Sequence, residues 1–137
     1  MHVRVFTDGG ARGNPGPAGI GVVIQDASGK QLEAFGEYLG ETTNNQAEYR
    51  AMVAALTRAK AMGATEVAAF ADSALLVKQL HREYRVKNAG LAPLFVQVWN
   101  LAQSFASCTF RHVRREQNKG ADAMVNAAID ARSSVRR

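Results

Sequence analysis

The chain has 137 residues with 17 Lys and Arg against 12 Asp and Glu, so its formal net charge is +5. That length suits one domain around one sizeable core, and the basic balance favours a polyanionic partner, most commonly nucleic acid. A lone Cys108 excludes an internal disulfide or a cysteine zinc cluster and fits a reducing, cytoplasmic setting; no signal peptide or membrane-crossing run is expected.

"HVRVFTD" alternates apolar and polar residues and predicts a half-buried strand. It leads into "TDGGARGNPGPAG", a stretch dense in glycine and proline that reads as a loop. "AGIGVVIQ" and "KQLEAFGEYL" predict two more strands, joined by the turn sequence "DASG". From Asn44 to Met62 the pattern becomes helical, with Tyr49, Met52, Val53, Leu56 and Ala59 on one stripe and Gly63 as the stop. "EVAAFA" is a short, wholly apolar run, as expected of a strand covered on both faces.

A helix carrying Leu75, Leu76, Gln79 and Leu80 is predicted after Asp72, then a basic loop, "HREYRVKNAGLAP". A helix around "LFVQVWNLAQSF" and a last strand, "CTFRHVR", come next. The final helix starts near Asn118 and buries Ala121, Met124, Val125, Ala128 and Ile129. Residues 131–137, ending "RSSVRR", are expected to fray. Three strands, helix, strand, helices, strand, helix make a single α/β domain of mixed α+β type, with helices packed on one sheet.

Four acids have both an ordinary and a chemical reading. Asp8 precedes Gly9, an Asp-Gly turn signal; Asn45 and Glu48 have capping-box spacing. Asp72 or Ser73 can cap a helix, and Asp122 can complement a helix dipole. Together they suggest more. Asp8 and Asp72 both end apolar strands, and if those strands are neighbours the two carboxylates share one sheet edge, where α/β proteins bind ligands. Glu48 and Asp122 open helices that can face the same edge. Clustered carboxylates raise one another's pKa unless a cation sits among them, and all-oxygen ligands suit Mg²⁺ or Mn²⁺ better than zinc.

Other chemistries have less support. The glycine stretch lacks the Gly-Lys-Ser/Thr ending of a phosphate loop, and Pro15 and Pro17 remove backbone donors such a loop would use. No G-x-S-x-G elbow exists, and His2, His81 and His112 have no metal-ligand spacing.

"FTDGGARGNPGPAGIGVVI", "TTNNQAEYRAMVAAL", "ADSALLVKQL" and "REQNKGADAMVNAA" together resemble the type 1 ribonuclease H family, from residue 3 to about residue 130 and in the family's order. The resemblance implies a ribonuclease H-like fold with a five-stranded mixed sheet flanked by helices. It also implies hydrolysis of the RNA strand of RNA–DNA hybrids, leaving 5′-phosphate and 3′-hydroxyl ends. By motif position, Asp8, Glu48, Asp72 and Asp122 are then the catalytic, metal-binding acids, holding two Mg²⁺ ions, with Mn²⁺ as a substitute. Gly10, Ala11 and Asn14 would approach the minor groove and the RNA 2′-hydroxyls. Asn44, Asn45 and Gln46 would read sugars and base edges, and Thr43 a DNA phosphate. Ser73 and Asn118 complete the implied substrate contacts. A 2′-hydroxyl both donates and accepts, which suits these side chains; helix capping is their ordinary reading.

The chain also departs from the family pattern. Many bacterial members carry a histidine in a mobile loop before the last aspartate; here that loop is the short "RREQN", and His112 falls in a strand. Ala74 stands where many relatives place glutamine, and "HREYRVKNAG" is too short for their extra basic helix. Arg82, Arg85 and Lys87, or the run Arg111, Arg114, Arg115 and Lys119, are left to contact phosphates. The expected enzyme is a monomer without membrane contact that acts on hybrids and could extend to double-stranded RNA. A non-catalytic nucleic-acid-binding module and a DNA-acting nuclease of the same fold are the rival readings.

Overall fold

A computed structural model describes residues 1–137. Strand β1 (His2–Ala11) pairs antiparallel with β2 (Gly16–Asp26), which pairs antiparallel with β3 (Gln31–Thr42). Helix α1 (Asn44–Ala61) leads to β4 (Glu66–Ala71), which lies parallel to β1 on its other side. Helices α2 (Ala74–Leu80) and α3 (Ala92–Gln103) precede β5 (Ser107–His112), which adds parallel to β4. A 3-10 turn (Arg115–Gln117) then enters α4 (Lys119–Ala131), and β6 (Val135–Arg136) follows. The sheet order is β5-β4-β1-β2-β3-β6.

The expected mixed architecture is present, with one strand more than the five implied. The extra strand corrects the expectation of a frayed tail. Val135 and Arg136 pair with Gly36 and Phe35, and Arg137 exchanges two backbone hydrogen bonds with Ala34, at 2.7 and 3.0 Å. Two residues are too few to show any periodicity, and an unpaired β3 edge supplies the missing partners. The glycine stretch is a second correction. Most of it is ladder, not loop, because β1 continues to Ala11 and β2 starts at Gly16.

The two faces of the sheet are covered differently. α1, with α2 and α3, covers one face, where Val3, Val5, Val22 and Ile24 meet Tyr49, Met52, Leu56, Leu76 and Val98 in the main core. α4 covers β2 and β3 on the other face, where Val23, Ala34, Ala121 and Met124 form a smaller cluster. All five residues of the expected α4 stripe are buried. On α2 the stripe differs: Leu75 is 42% exposed, and Val77 takes its place in the core.

α1 begins where its pattern predicts, but not by the predicted cap. Thr43 is the N-cap, its Oγ accepting from the Gln46 N–H at 3.2 Å. Glu48 is therefore not engaged in a capping box with Asn45, and its carboxylate is free to turn toward β1.

Candidate active site

The parallel register of β1 and β4 sets Thr7 beside Ala71. The next residue of each strand path is an acid, so Asp8 and Asp72 emerge side by side at the sheet's carboxyl edge. Glu48 comes from the second turn of α1, which approaches β1 unusually closely. A Cβ on Gly9 would lie 2.3 Å from the Ala47 carbonyl group and 2.5 Å from the Glu48 nitrogen, so only glycine admits α1 at this depth. The Gly9 N–H donates to Glu48 Oε1 at 2.8 Å. Asp8, Glu48 and Asp72 each then offer a carboxylate oxygen, all within 4.8 Å of one another.

This trio is electrostatically costly without a counter-charge. Burial, followed by the nearby charges of Asp72 and Glu48, pushes the Asp8 carboxyl up to about 9. Burial also raises Glu48, to about 7, against the opposing pull of the Gly9 N–H. Asp72 Oδ2 is buried with no hydrogen-bond partner, and an orphaned carboxylate oxygen of this kind is rare unless something else is meant to engage it. Hard oxygen donors, mutual repulsion and one unsatisfied buried acceptor together fit a divalent cation of the Mg²⁺ type.

Asp122, in the first turn of α4, lines the same cleft of about 440 Å³ but stands outside the close trio. Gly10, Ala11, Asn44, Asn45 and Ser73 also line it, as do Arg12 and Arg115. The hairpin and α1 are stitched together at its rim: the Ala11 N–H donates to Asn44 Oδ1 at 2.8 Å, and the Asn44 N–H donates to Asn14 Oδ1 at 3.0 Å. Gly10 is open, since a Cβ there would meet only Val125, at 3.9 Å. Gln46 Nε2 donates to the Gly90 carbonyl at 2.9 Å, tying the start of α1 to the segment before α3. Ser73, and not Asp72, caps α2, its Oγ accepting from the Leu76 N–H at 3.1 Å.

Asn118 does not fit its expected place among the substrate contacts. It is 1% exposed, and its Nδ2 donates to the Thr7 carbonyl at 2.8 Å. It pins the start of α4 beneath β1, one residue before Asp8. No histidine lines the cleft, and His112 ends β5 as its pattern predicts. Arg115 brings the loop's cation to the cleft, and Arg12 brings a second one that composition and spacing did not single out. A larger cleft, about 950 Å³ between α2, α3 and β5, contains Glu83 as its one acid and has no comparable cluster.

A family model described as reverse transcriptase-like matches residues 6–128. LC11-RNase H1, solved in complex with an RNA/DNA hybrid, superposes with a TM-score of 0.90 at 43% identity, over 95% of this chain and 98% of that one. The chain belongs to the type 1 ribonuclease H family. RNase H1 of the halophilic archaeon Halobacterium salinarum superposes with a TM-score of 0.93 at 37% identity, covering 96% and 99% of the two chains. Among curated relatives, the bifunctional protein Rv2228c of Mycobacterium tuberculosis is 42% identical over 132 residues, which are 96% of this chain and 36% of that protein. The chain thus spans about a third of the length of the first curated relatives it matches.

Proposed function

We propose that this type 1 ribonuclease H is a divalent-metal-dependent endoribonuclease that hydrolyses the RNA strand of RNA–DNA hybrids, leaving 5′-phosphate and 3′-hydroxyl ends. The observation that carries this reading is the convergence of Asp8, Glu48 and Asp72 within 4.8 Å around a buried, unpartnered Asp72 oxygen. A module that only binds nucleic acid gains nothing from three repelling carboxylates placed where an anionic backbone must lie.

Asp8, Glu48 and Asp72 would hold the cation together with Asp122, whose carboxyl lies against Asp8 in the same cleft. Bound there, Mg²⁺ or its substitute Mn²⁺ would acidify water and offset charge on a phosphate. The protein's own groups do the remaining work. The Gly9 N–H fixes the Glu48 carboxylate, and Gly10 leaves the backbone open to an approaching sugar. Ala11, Asn14 and Asn44 hold one another in place at the rim, where amide groups can both donate to and accept from a 2′-hydroxyl. Arg115 supplies positive charge at the cleft, and a phosphate contact of that kind positions a substrate without reading its sequence. No side chain needs to be a nucleophile. The enzyme is proposed to act as a cytoplasmic monomer.

The test is incubation with labelled RNA–DNA hybrid, RNA duplex and DNA duplex, each with Mg²⁺, Mn²⁺ or chelator. Internal cuts in the RNA strand of the hybrid, dependent on added cation, are expected. Cleavage confined to DNA would favour a DNA-acting nuclease of the same fold.

A further inference from the structure

α4 rests on a sheet surface made flat by glycine. A Cβ on Gly21 would fall 1.9 Å from the Ala121 carbonyl oxygen, one on Gly36 2.4 Å from the Met124 carbonyl oxygen, and one on Gly19 3.0 Å from the Ile129 side chain. Contact of this kind sets the depth of the helix, and the small cluster of Val23, Ala34, Ala121 and Met124 leaves few interlocking side chains to fix it along its axis. Polar ties can therefore add to the register, and it matters because Asp122 meets the acid cleft only if α4 stops at the right place.

Two polar contacts, one to β1 and one to the turn that follows it, add to the register. At the start of α4, Asn118 is tied to the Thr7 carbonyl. Farther along, Arg12 reaches across from the end of the β1–β2 hairpin. Its Nη1 donates to Asp130 Oδ1 at 2.7 Å and its Nη2 to Asn126 Oδ1 at 3.1 Å. Asn126 Nδ2 in turn donates to the Asp122 carbonyl at 3.1 Å. Thr7, in β1, and Arg12, the residue just past its end, bracket Asp8. Their attachment points on α4 bracket Asp122. One tie leaves the helix free to pivot; the second removes that freedom.

We propose that Arg12 is a positioning residue that registers α4, and with it Asp122, against Asp8, Glu48 and Asp72. The consequence for catalysis rests on the function proposed above; the consequence for cation binding does not. The Arg12–Asp130 pair has side chains 48% and 68% exposed, and pairs that open to water contribute little to folding stability. Loss of the clamp should therefore alter the site without unfolding the protein.

The experiment compares the wild type, Arg12→Ala and the double variant Asp130→Asn/Asn126→Ala. Each is measured for melting temperature, for Mn²⁺ affinity by titration calorimetry, and for hybrid cleavage against substrate and salt concentration. Both variants are expected to melt close to the wild type, to bind Mn²⁺ about threefold to fivefold more weakly and to lose about threefold to fivefold in kcat. KM and its salt dependence are expected to stay unchanged, and combining all three substitutions should be no worse than Arg12→Ala alone. Wild-type Mn²⁺ affinity in Arg12→Ala would overturn the proposal. So would a rise in KM with a shallower salt slope in Arg12→Ala alone, the double variant being unaffected, since Arg12 would then be a phosphate contact. If no variant cleaves any hybrid, the wild type included, the function proposed above fails, and the Mn²⁺ titration still decides the role of Arg12.

Discussion

β2 shows, within one strand, how differently the two faces of this sheet are built. Ile20, Val22 and Ile24 point to the α1 side and are buried to within 1%, with Val22 and Ile24 in the main core. On the α4 side the same strand presents Gly19, Gly21 and Val23, and helix backbone lies almost directly on strand backbone. The first face is held by side-chain volume and interdigitation. The second is held by close backbone contact, a small apolar cluster and a few polar ties. The acids collect where the two arrangements meet: Glu48 arrives from the deeply packed helix and Asp122 from the one resting on glycine. The volume-packed face thus delivers Glu48 to the close trio, and the more lightly fastened face delivers Asp122 beside Asp8.

Substitutions that attack each face should separate the two roles. The largest effect is expected at Gly21, where any Cβ meets the Ala121 carbonyl oxygen at 1.9 Å. Gly21→Val should lift α4, lower the melting temperature by about 10 °C or more and remove activity. Calorimetry and hybrid cleavage check both, and an unchanged melting temperature would mean that α4 does not seat on bare backbone. Leu56→Ala, on the volume-packed face, should cost about 2–5 kcal/mol. It should leave the rate per folded molecule near wild type, because nothing at the cleft moves.

A third effect separates charge from packing. The Asp8 carboxyl keeps its proton to about 9 in the cation-free protein, well above its unfolded value. Its protonated form is therefore favoured by folding, and the sign follows: stability relative to Asp8→Asn is fully present at low pH and declines as pH rises from about 4 toward 9. Melting curves in chelator should show that decline, and Mg²⁺ should reverse it at high pH, where binding no longer has to displace a proton. A flat difference across that range would mean that neither burial nor the neighbouring acids raise the Asp8 carboxyl. The smallest effect is expected far from the seam. Arg58 Nε donates to Glu33 Oε1 at 2.8 Å and holds that carboxyl below its usual range, but the pair sits at the surface, its side chains 41% and 23% exposed. Arg58→Ala should cost no more than about 1 kcal/mol and leave cleavage intact.

Much of this seam was legible in the sequence, because strands and helices with one buried face carry their period openly. β4 lies over the predicted "EVAAFA", and the stripe from Ala121 to Ile129 faces the sheet. The meeting of Asp8 and Asp72 followed from two apolar runs, each ending in an acid. What stayed hidden depended on contacts distant in the chain. Gly9 and Gly10 look locally like a turn; only the approach of α1 shows that Gly9 is a strand residue with no space for a side chain. Glu48 looked like a capping partner because its true partner, the Gly9 N–H, lies 39 positions away. Asn118 is polar and next to a helix start, which predicts exposure, yet it is buried to tie α4 to β1. Arg12 had no local signal, since its acceptors lie on the last helix. The tail became a strand because β3 had an open edge, a fact of topology that no local pattern carries.

The most direct test concerns Asp72, whose buried oxygen lacks any partner in the protein. Asp72→Asn keeps the volume and removes the charge, and it should be assayed for hybrid affinity and for hybrid cleavage in Mg²⁺. The account predicts that binding stays near wild type or tightens slightly, while cleavage falls by more than about a hundredfold. Cleavage at the wild-type rate would contradict it, because the carboxylates would then be features of the fold and not the source of the chemistry.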